Sequence, residues 1–309
     1  MEPRLNFTLG EAVKRARLAE QLGYESVWVS QIADSEDGAT LLAAYSSVTS
    51  RIGLGISVVP IQTRHPTSIV QMAATLDALS GGRFRLGLGT GSELTIEWMW
   101  GLKALPKVAA MREYMAIVRS GLREGSVNFV GKHFTARWKY TREVRPNVRL
   151  YIGAMGPKMR ALAGEIGDGI LLWLSTPRHI REHVLPQVEA GRKRAGMSMD
   201  GFEVQAPIFI GVTTNPNVGR AYIRRQLELY SRLEPYRSVL AEGGFANEIA
   251  RGVVTESMID ELCGIGSEYE VREAIERYRE AGCTLPMLAV IPDHEGAADF
   301  ATTAQVAVS

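Results

Sequence analysis

The hydropathy pattern switches period repeatedly along this chain, and always in the same order. Residues 8–22 place Ala12, Ala16, Ala19 and Leu22 at helical spacing and close on Gly23, with Thr8 and Glu11 as a capping-box pair. Residues 26–30 then read as a short β-branched strand. The unit recurs. A helix at 41–48 leads to an apolar strand at 52–59. A helix at 66–80 opens on Pro66, buries Ile69, Met72, Ala73, Leu76 and Leu79, stops at Gly81-Gly82, and leads to a strand at 84–89. A helix at 111–122 follows. Strands at 149–154, 169–174, 202–212 and 285–291 then alternate with helices at 157–166, 178–195, 217–233 and one capped by Ser267 and Glu270. Strict alternation with near-continuous apolar strands predicts a parallel sheet covered by helices on both faces. Seven strands are clear. An eighth would close a (β/α)8 TIM barrel, and the sequence offers residues 4–7 for it; an open doubly wound sheet is the alternative.

Two stretches break the repeat. Residues 125–146 are polar and aromatic and predict an inserted hairpin, and residues 236–266 are glycine-rich and predict an excursion over one face. Both are expected as insertions within one barrel domain over residues 1–309. That length suits a single α/β barrel with added segments.

Charge and cysteine content exclude several functions. Lys plus Arg number 35 and Asp plus Glu 34, a balance that argues against a nucleic-acid surface. Cys263 and Cys283 have no metal-ligand or C-x-x-C spacing, so no disulfide framework or metal is expected and a reducing cytoplasmic setting is the default. No apolar run reaches the length of a membrane span, and the start lacks the apolar core of a signal peptide.

In a barrel, chemistry sits in the loops after the strands. That rule selects Ser30, Gln31 and Ile32, then Ser57 to Pro60, then Thr90, Gly91, Ser92 and Glu93 with Glu97, Trp98 and Trp100, then Met155 to Lys158, and Trp173. Residues 153–158 have the plainest physical reading. Gly156 lets backbone approach a ligand, Pro157 opens a helix, and free N–H groups of its first turn favour an anion such as phosphate. An ordinary glycine-proline turn is the competing reading. G-x-G-x-G at 87–91 lacks the spacing of a dinucleotide fingerprint. His65 reads as a helix-end neighbour. His179 and His183, four apart, read as a solvated helix face rather than a metal pair; His133 and His294 stand alone. Trp28 reads as core.

Taken together, several segments resemble the luciferase-like superfamily, and within it the branch that uses the deazaflavin coenzyme F420, methylenetetrahydromethanopterin reductase included. They are residues 19–28, 49–55, Arg64-His65-Pro66, Leu76-Asp77-Ala78-Leu79-Ser80-Gly81-Gly82-Arg83, Gly87-Leu88-Gly89-Thr90-Gly91, and Tyr151 to Met159 followed by Asp168-Gly169. The last third matches loosely. The resemblance implies a luciferase-like barrel and a cis Ser57-Val58 peptide at a bulge that backs the deazaflavin ring. It implies Thr90, Gly91 and Ser92 near the ring or ribityl chain, Ala154, Met155, Gly156, Pro157 and Lys158 at the phosphate, and Gln31 near the cofactor chain. Trp98, Trp100 and Trp173 are expected pocket walls.

The departures are informative. Gln31-Ile32 stands where the family's sugar-phosphate and alcohol dehydrogenases carry Asp-His, and Ser92 stands where they place Glu, with Glu93 one residue later. A hydroxyl-oxidising role is thereby disfavoured. The expected activity is F420-dependent hydride transfer to an electrophilic carbon of a small substrate, with Glu93 and Glu97 as candidate proton donors. The alternatives are an FMN-dependent monooxygenase and a non-catalytic flavin-binding relative. Homodimers are common among the proteins the chain resembles, but the sequence shows no clear interface signal and leaves the oligomeric state open.

Overall fold

The computed structural model describes residues 8–145, 147–291 and 298–308, so the strand expected at 4–7 and His294 lie outside the described residues. The described chain divides into two compact units, one comprising Thr8–Gly153 with Ile166–Gly169, the other Ala154–Glu165 with Ile170–Ser309.

The first unit opens with α1 (Leu9–Gln21), β1 (Ser26–Val29), α2 (Gly38–Val48), β2 (Gly53–Pro60), α3 (Pro66–Ser80) and β3 (Phe84–Gly89). It continues with α4 (Lys107–Glu124), β4 (Ser126–Val130), β5 (Thr135–Lys139) and β6 (Arg149–Gly153). Strands β1, β2, β3 and β6 pair in that order, all parallel. Their side chains Leu54, Ile56, Leu86, Leu88, Leu150 and Ile152 are buried, as continuous apolar strands require. The helix boundaries follow local chemistry. Thr8 and Glu11 make the capping box, with the Thr8 N–H donating to Glu11 Oε2 at 2.6 Å and the Glu11 N–H to Thr8 Oγ1 at 3.3 Å. Pro66 starts α3 behind His65 as N-cap, and Gly81 ends it in the left-handed region at φ 70°.

The insertion at 125–146 carries the expected hairpin, β4 antiparallel to β5. It is docked on α4 in two ways. Val127 and Ala136 pack with Ile117, and the Glu113 carboxylate accepts the N–H groups of Lys132, His133 and Phe134 at 2.8–3.0 Å.

The second unit contains α5 (Pro157–Ile166, whose last residue belongs to the first unit), β7 (Gly169–Leu171), α6 (Pro177–His179) and α7 (Leu185–Arg194). Then come β8 (Glu203–Val212), α8 (Pro216–Tyr230), α9 (Tyr236–Leu240), α10 (Ala246–Arg251), α11 (Glu256–Leu262), β9 (Cys263–Gly266), α12 (Glu268–Glu280), β10 (Leu285–Val290) and α13 (Phe300–Val306). The segment 178–195 forms α6 and α7 joined through a wider π turn at Ile180–Val184. Both β10 and β9 pair with β8 in parallel.

Strand β9 corrects the reading of 236–266 as an excursion only: its last four residues belong to the sheet. Gly264 explains why the stretch does not look like a strand. A methyl group there would stand 2.7 Å from Ala274 Cβ and 2.8 Å from the Glu270 carbonyl, so the glycine admits α12 against the sheet. The rest of the stretch is helical and packs Leu240, Phe245, Ile249, Met258 and Ile259 into a core with Ile223 and Leu227.

Candidate active site

In the first unit, the C-terminal half of β2 is irregular. The Ser57-Val58 peptide bond is cis, and the pairing of β2 with β3 shifts between Ile56 and Val59, so β2 carries an extra residue there. Glycines on the neighbouring strands accommodate Val58. A methyl group on Gly89 would overlap Val58 Cγ2, and one on Gly153 would stand 3.0 Å from Val58 Cγ1. The result is a half-buried shelf of small residues at the ends of β2, β3 and β6, suited to a flat group. Gly91 follows β3 at φ 65°, and a side chain there would press on Ile96. Thr90 and Ser92 are half-buried, and the Ser92 hydroxyl bonds the Thr95 hydroxyl at 2.8 Å.

Other predicted residues of this unit have local partners. The Gln31 Oε1 accepts the Gly38 N–H at 2.9 Å, so it helps Asp37 cap α2; Asp37 Oδ2 in turn meets Arg64 Nη2 at 2.5 Å. Glu93, 70% exposed, lies 3.5 Å from Lys107 Nζ. Glu97 accepts the Ala104 N–H at 3.3 Å. Trp98 is 79% exposed and Trp100 is half-buried, both in or beside the π turn Leu94–Met99. Trp28 is buried edge-on against Tyr151 at 5.2 Å, as a core residue.

In the second unit the turn before α5 has the features of an anion site. Gly156 is its N-cap in effect, because the Arg160 N–H donates to the Gly156 carbonyl at 3.0 Å. Pro157 has no N–H, and the Met159 N–H also returns to Gly156 O at 3.1 Å. The amides of Gly156 and Lys158 are left with no acceptor among the described residues. A side chain on Gly156 would meet nothing within 4 Å, so the turn is uncrowded on its Cβ side. Two unpaired N–H groups at the positive end of a ten-residue helix fit a phosphate. Lys158 is exposed beside them. Trp173 packs edge-on against Phe209 and Tyr230, with ring centres 6.0 and 5.9 Å away.

One cluster was missed by the sequence reading. His179 is 1% exposed, not on a solvated face, and its Nε2 lies 3.0 Å from Glu242 Oε2. The same oxygen is 2.7 Å from Nη1 of Arg160, whose side chain is fully buried. Burial first, then the Arg160 charge, push the His179 pKa down to about 4 against the pull of Glu242. Burial would raise the Glu242 pKa, but the Arg160 and His179 contacts outweigh it and hold it low. The neutral imidazole therefore donates from Nε2, which leaves Nδ1 without a partner. His183 stacks on His179 at 5.9 Å, yet among the described residues no group of acids, histidines and cysteines is placed to hold a metal. A signal did exist: Arg160 falls on the same buried stripe of α5 as Met159, Leu162 and Ala163, where a charge needs a partner.

Comparison with known proteins places the chain. The model of the luciferase-like monooxygenase family matches residues 2–285. The chain belongs to that family. Luciferase-like relatives include 5,10-methylenetetrahydromethanopterin reductase of Methanopyrus kandleri, 28% identical over 319 residues and covering 92% of this chain and 90% of the relative. Among solved structures, the F420-dependent tetrahydromethanopterin reductase of Methanopyrus kandleri superposes with a TM-score of 0.78 at 24% identity, over 98% of this chain and 95% of that one. An F420-dependent secondary alcohol dehydrogenase, solved with an F420-acetone adduct, superposes with a TM-score of 0.79 at 23% identity, over 98% and 96%. The fold is thus the luciferase-like α/β barrel, with β4 and β5 as an inserted hairpin.

Proposed function

We propose that this luciferase-like protein is an F420-dependent oxidoreductase, acting as a reductase on a small, partly apolar substrate. The observation that carries the reading is the pair of unpaired amides at Gly156 and Lys158, in a chain whose relatives include enzymes named for F420. When bound, the deazaflavin supplies hydride at its C5. The chain's own residues bind and orient. The amides of Gly156 and Lys158 take the phosphate, and Ala154, Met155 and Pro157 shape the turn. The Ser57-Val58 shelf supports the ring, and Thr90, Gly91 and Ser92 bound the ring or ribityl chain. Gln31 has its Oε1 engaged with Gly38, so it offers its Nε2 donors to the cofactor chain. Trp98 and Trp100 on one unit and Trp173 on the other are the proposed aromatic contacts for the substrate.

Acid–base help is sparse on this reading. Glu93 and Glu97 are exposed and engaged with Lys107 at the start of α4 and with the Ala104 N–H, so the accompanying proton comes from solvent, with these two carboxylates as the other candidate donors. Substrates activated by themselves, such as conjugated carbonyl or imine carbons, suit such a site better than alcohols.

The test is anaerobic turnover. Reduced F420 with a panel of activated alkenes, imines and ketones is expected to regain the oxidised chromophore in a protein-dependent way. Oxygen uptake with reduced FMN, and no F420 turnover, would replace the reading with a monooxygenase. Binding without turnover of either would make the chain a flavin carrier.

A further inference from the structure

The Arg160 cluster has no part in the reading above, and a buried guanidinium is costly unless its charge and hydrogen bonds are met. Its contacts indicate what it does. Nη1 meets Glu242 Oε2 at 2.7 Å and Gln187 Oε1 at 3.2 Å, while Nη2 donates to the Met155 carbonyl oxygen. Glu242 is itself held by the His179 donor. All of these groups belong to the second unit.

The Met155 carbonyl and the Gly156 N–H share one planar trans peptide, so they point in opposite directions. Holding the carbonyl on Arg160 therefore turns the Gly156 N–H away from Arg160. That N–H has no acceptor among the described residues. We propose that Arg160 is a positioning residue for the anion turn: by gripping the Met155 carbonyl it presents the Gly156 amide to the cofactor phosphate. Glu242 is the counter-ion that keeps the guanidinium in place, and His179 fixes Glu242. The proposal rests on reading residues 154–158 as the phosphate turn. It gives Arg160 no contact with the phosphate itself; its effect passes through one peptide plane.

The experiment compares ligands with and without the phosphate. Wild-type protein, Arg160→Met and Arg160→Lys are titrated with F420 and with the deazaflavin nucleoside that lacks phosphate, and each variant is checked by circular dichroism. Arg160→Lys keeps a charge but cannot span Met155 and Glu242 together. Both variants are expected to weaken F420 by roughly tenfold or more, the worth of one lost hydrogen bond to a charged group, and to leave the nucleoside within about twofold. Equal loss for both ligands, or no loss for either, overturns the positioning role. Should both variants fail to fold, Glu242→Gln weakens the same grip at a partly exposed carboxylate. It is expected to weaken F420 several-fold and spare the nucleoside; equal or absent loss again overturns the role. A wild type that prefers FMN calls for the same comparison with FMN and riboflavin. A wild type that binds none of the four overturns the phosphate reading itself, and is thereby distinguished from failure of Arg160 alone.

Discussion

Two titratable side chains, Glu20 and His179, illustrate how single residues of this protein respond to acid. Glu20 accepts the backbone N–H groups of Ser50, Arg51 and Ile52 at 2.6–3.1 Å and so ties α1 to the entry of β2. Burial would raise its pKa, but these bonds outweigh it and lower the value from 4.5 to about 2. The unfolded chain therefore takes up the proton first, and the stabilisation present above pH 4.5 is lost as pH falls towards 2. Glu20→Ala is expected to lower stability at pH 7 by roughly 1–2 kcal/mol in urea unfolding, with the difference from wild type shrinking through that acid range. His179 acts in a higher window. Its pKa falls from 6.5 to about 4, so its contribution is full above 6.5 and is lost as pH drops through 4. Among its neighbours, Arg160 and His183 oppose its protonation and Glu242 favours it. His179→Gln is expected to flatten the stability–pH profile between those values, measured as melting temperature across the range.

At the scale of elements, close helix crossings depend on glycine. A methyl group on Gly164 of α5 would overlap the Val188 carbonyl oxygen of α7, and one on Gly191 of α7 would overlap the Ala161 carbonyl of α5. Gly164→Ala is expected to destabilise by about 1–3 kcal/mol, read by denaturant midpoint, because backbone on the other helix must give way. Gly89→Ala meets the Val58 side chain instead. It is expected to weaken flavin or deazaflavin binding more than it lowers melting temperature, since the shelf lies at a strand end. Elements with an unbroken local signal were legible. The bounds of α3 and α5 follow from Pro66, Pro157 and the flanking glycines, and the hairpin at 126–139 follows from its break in the pattern. Strand β9 was not legible, because Cys263-Gly264-Ile265-Gly266 is short and its glycines serve the packing of α12. The grip of Glu113 on residues 132–134 joins positions about twenty apart, and no local period reports it.

For the molecule as a whole, what could be read beforehand was the family and the fold class; what could not was how charges inside the fold pair. The β-α alternation and the ordered motifs from residue 19 to 169 carry the luciferase-like assignment, and the family model covers residues 2–285. Glu242, by contrast, is 82 residues from Arg160 in a stretch without periodicity, so only the folded chain brings them together. The sparse acid–base equipment gives a further expectation. The double variant Glu93→Gln, Glu97→Gln is expected to keep turnover with reduced F420 within a few-fold of wild type; a loss of a hundredfold would assign the proton to one of them. The account as a whole stands on cofactor choice, and parallel titration of purified protein with F420 and FMN tests that most directly. The account predicts saturable binding of F420 at least tenfold tighter than FMN. Tighter binding of FMN, or no binding of F420, would contradict it.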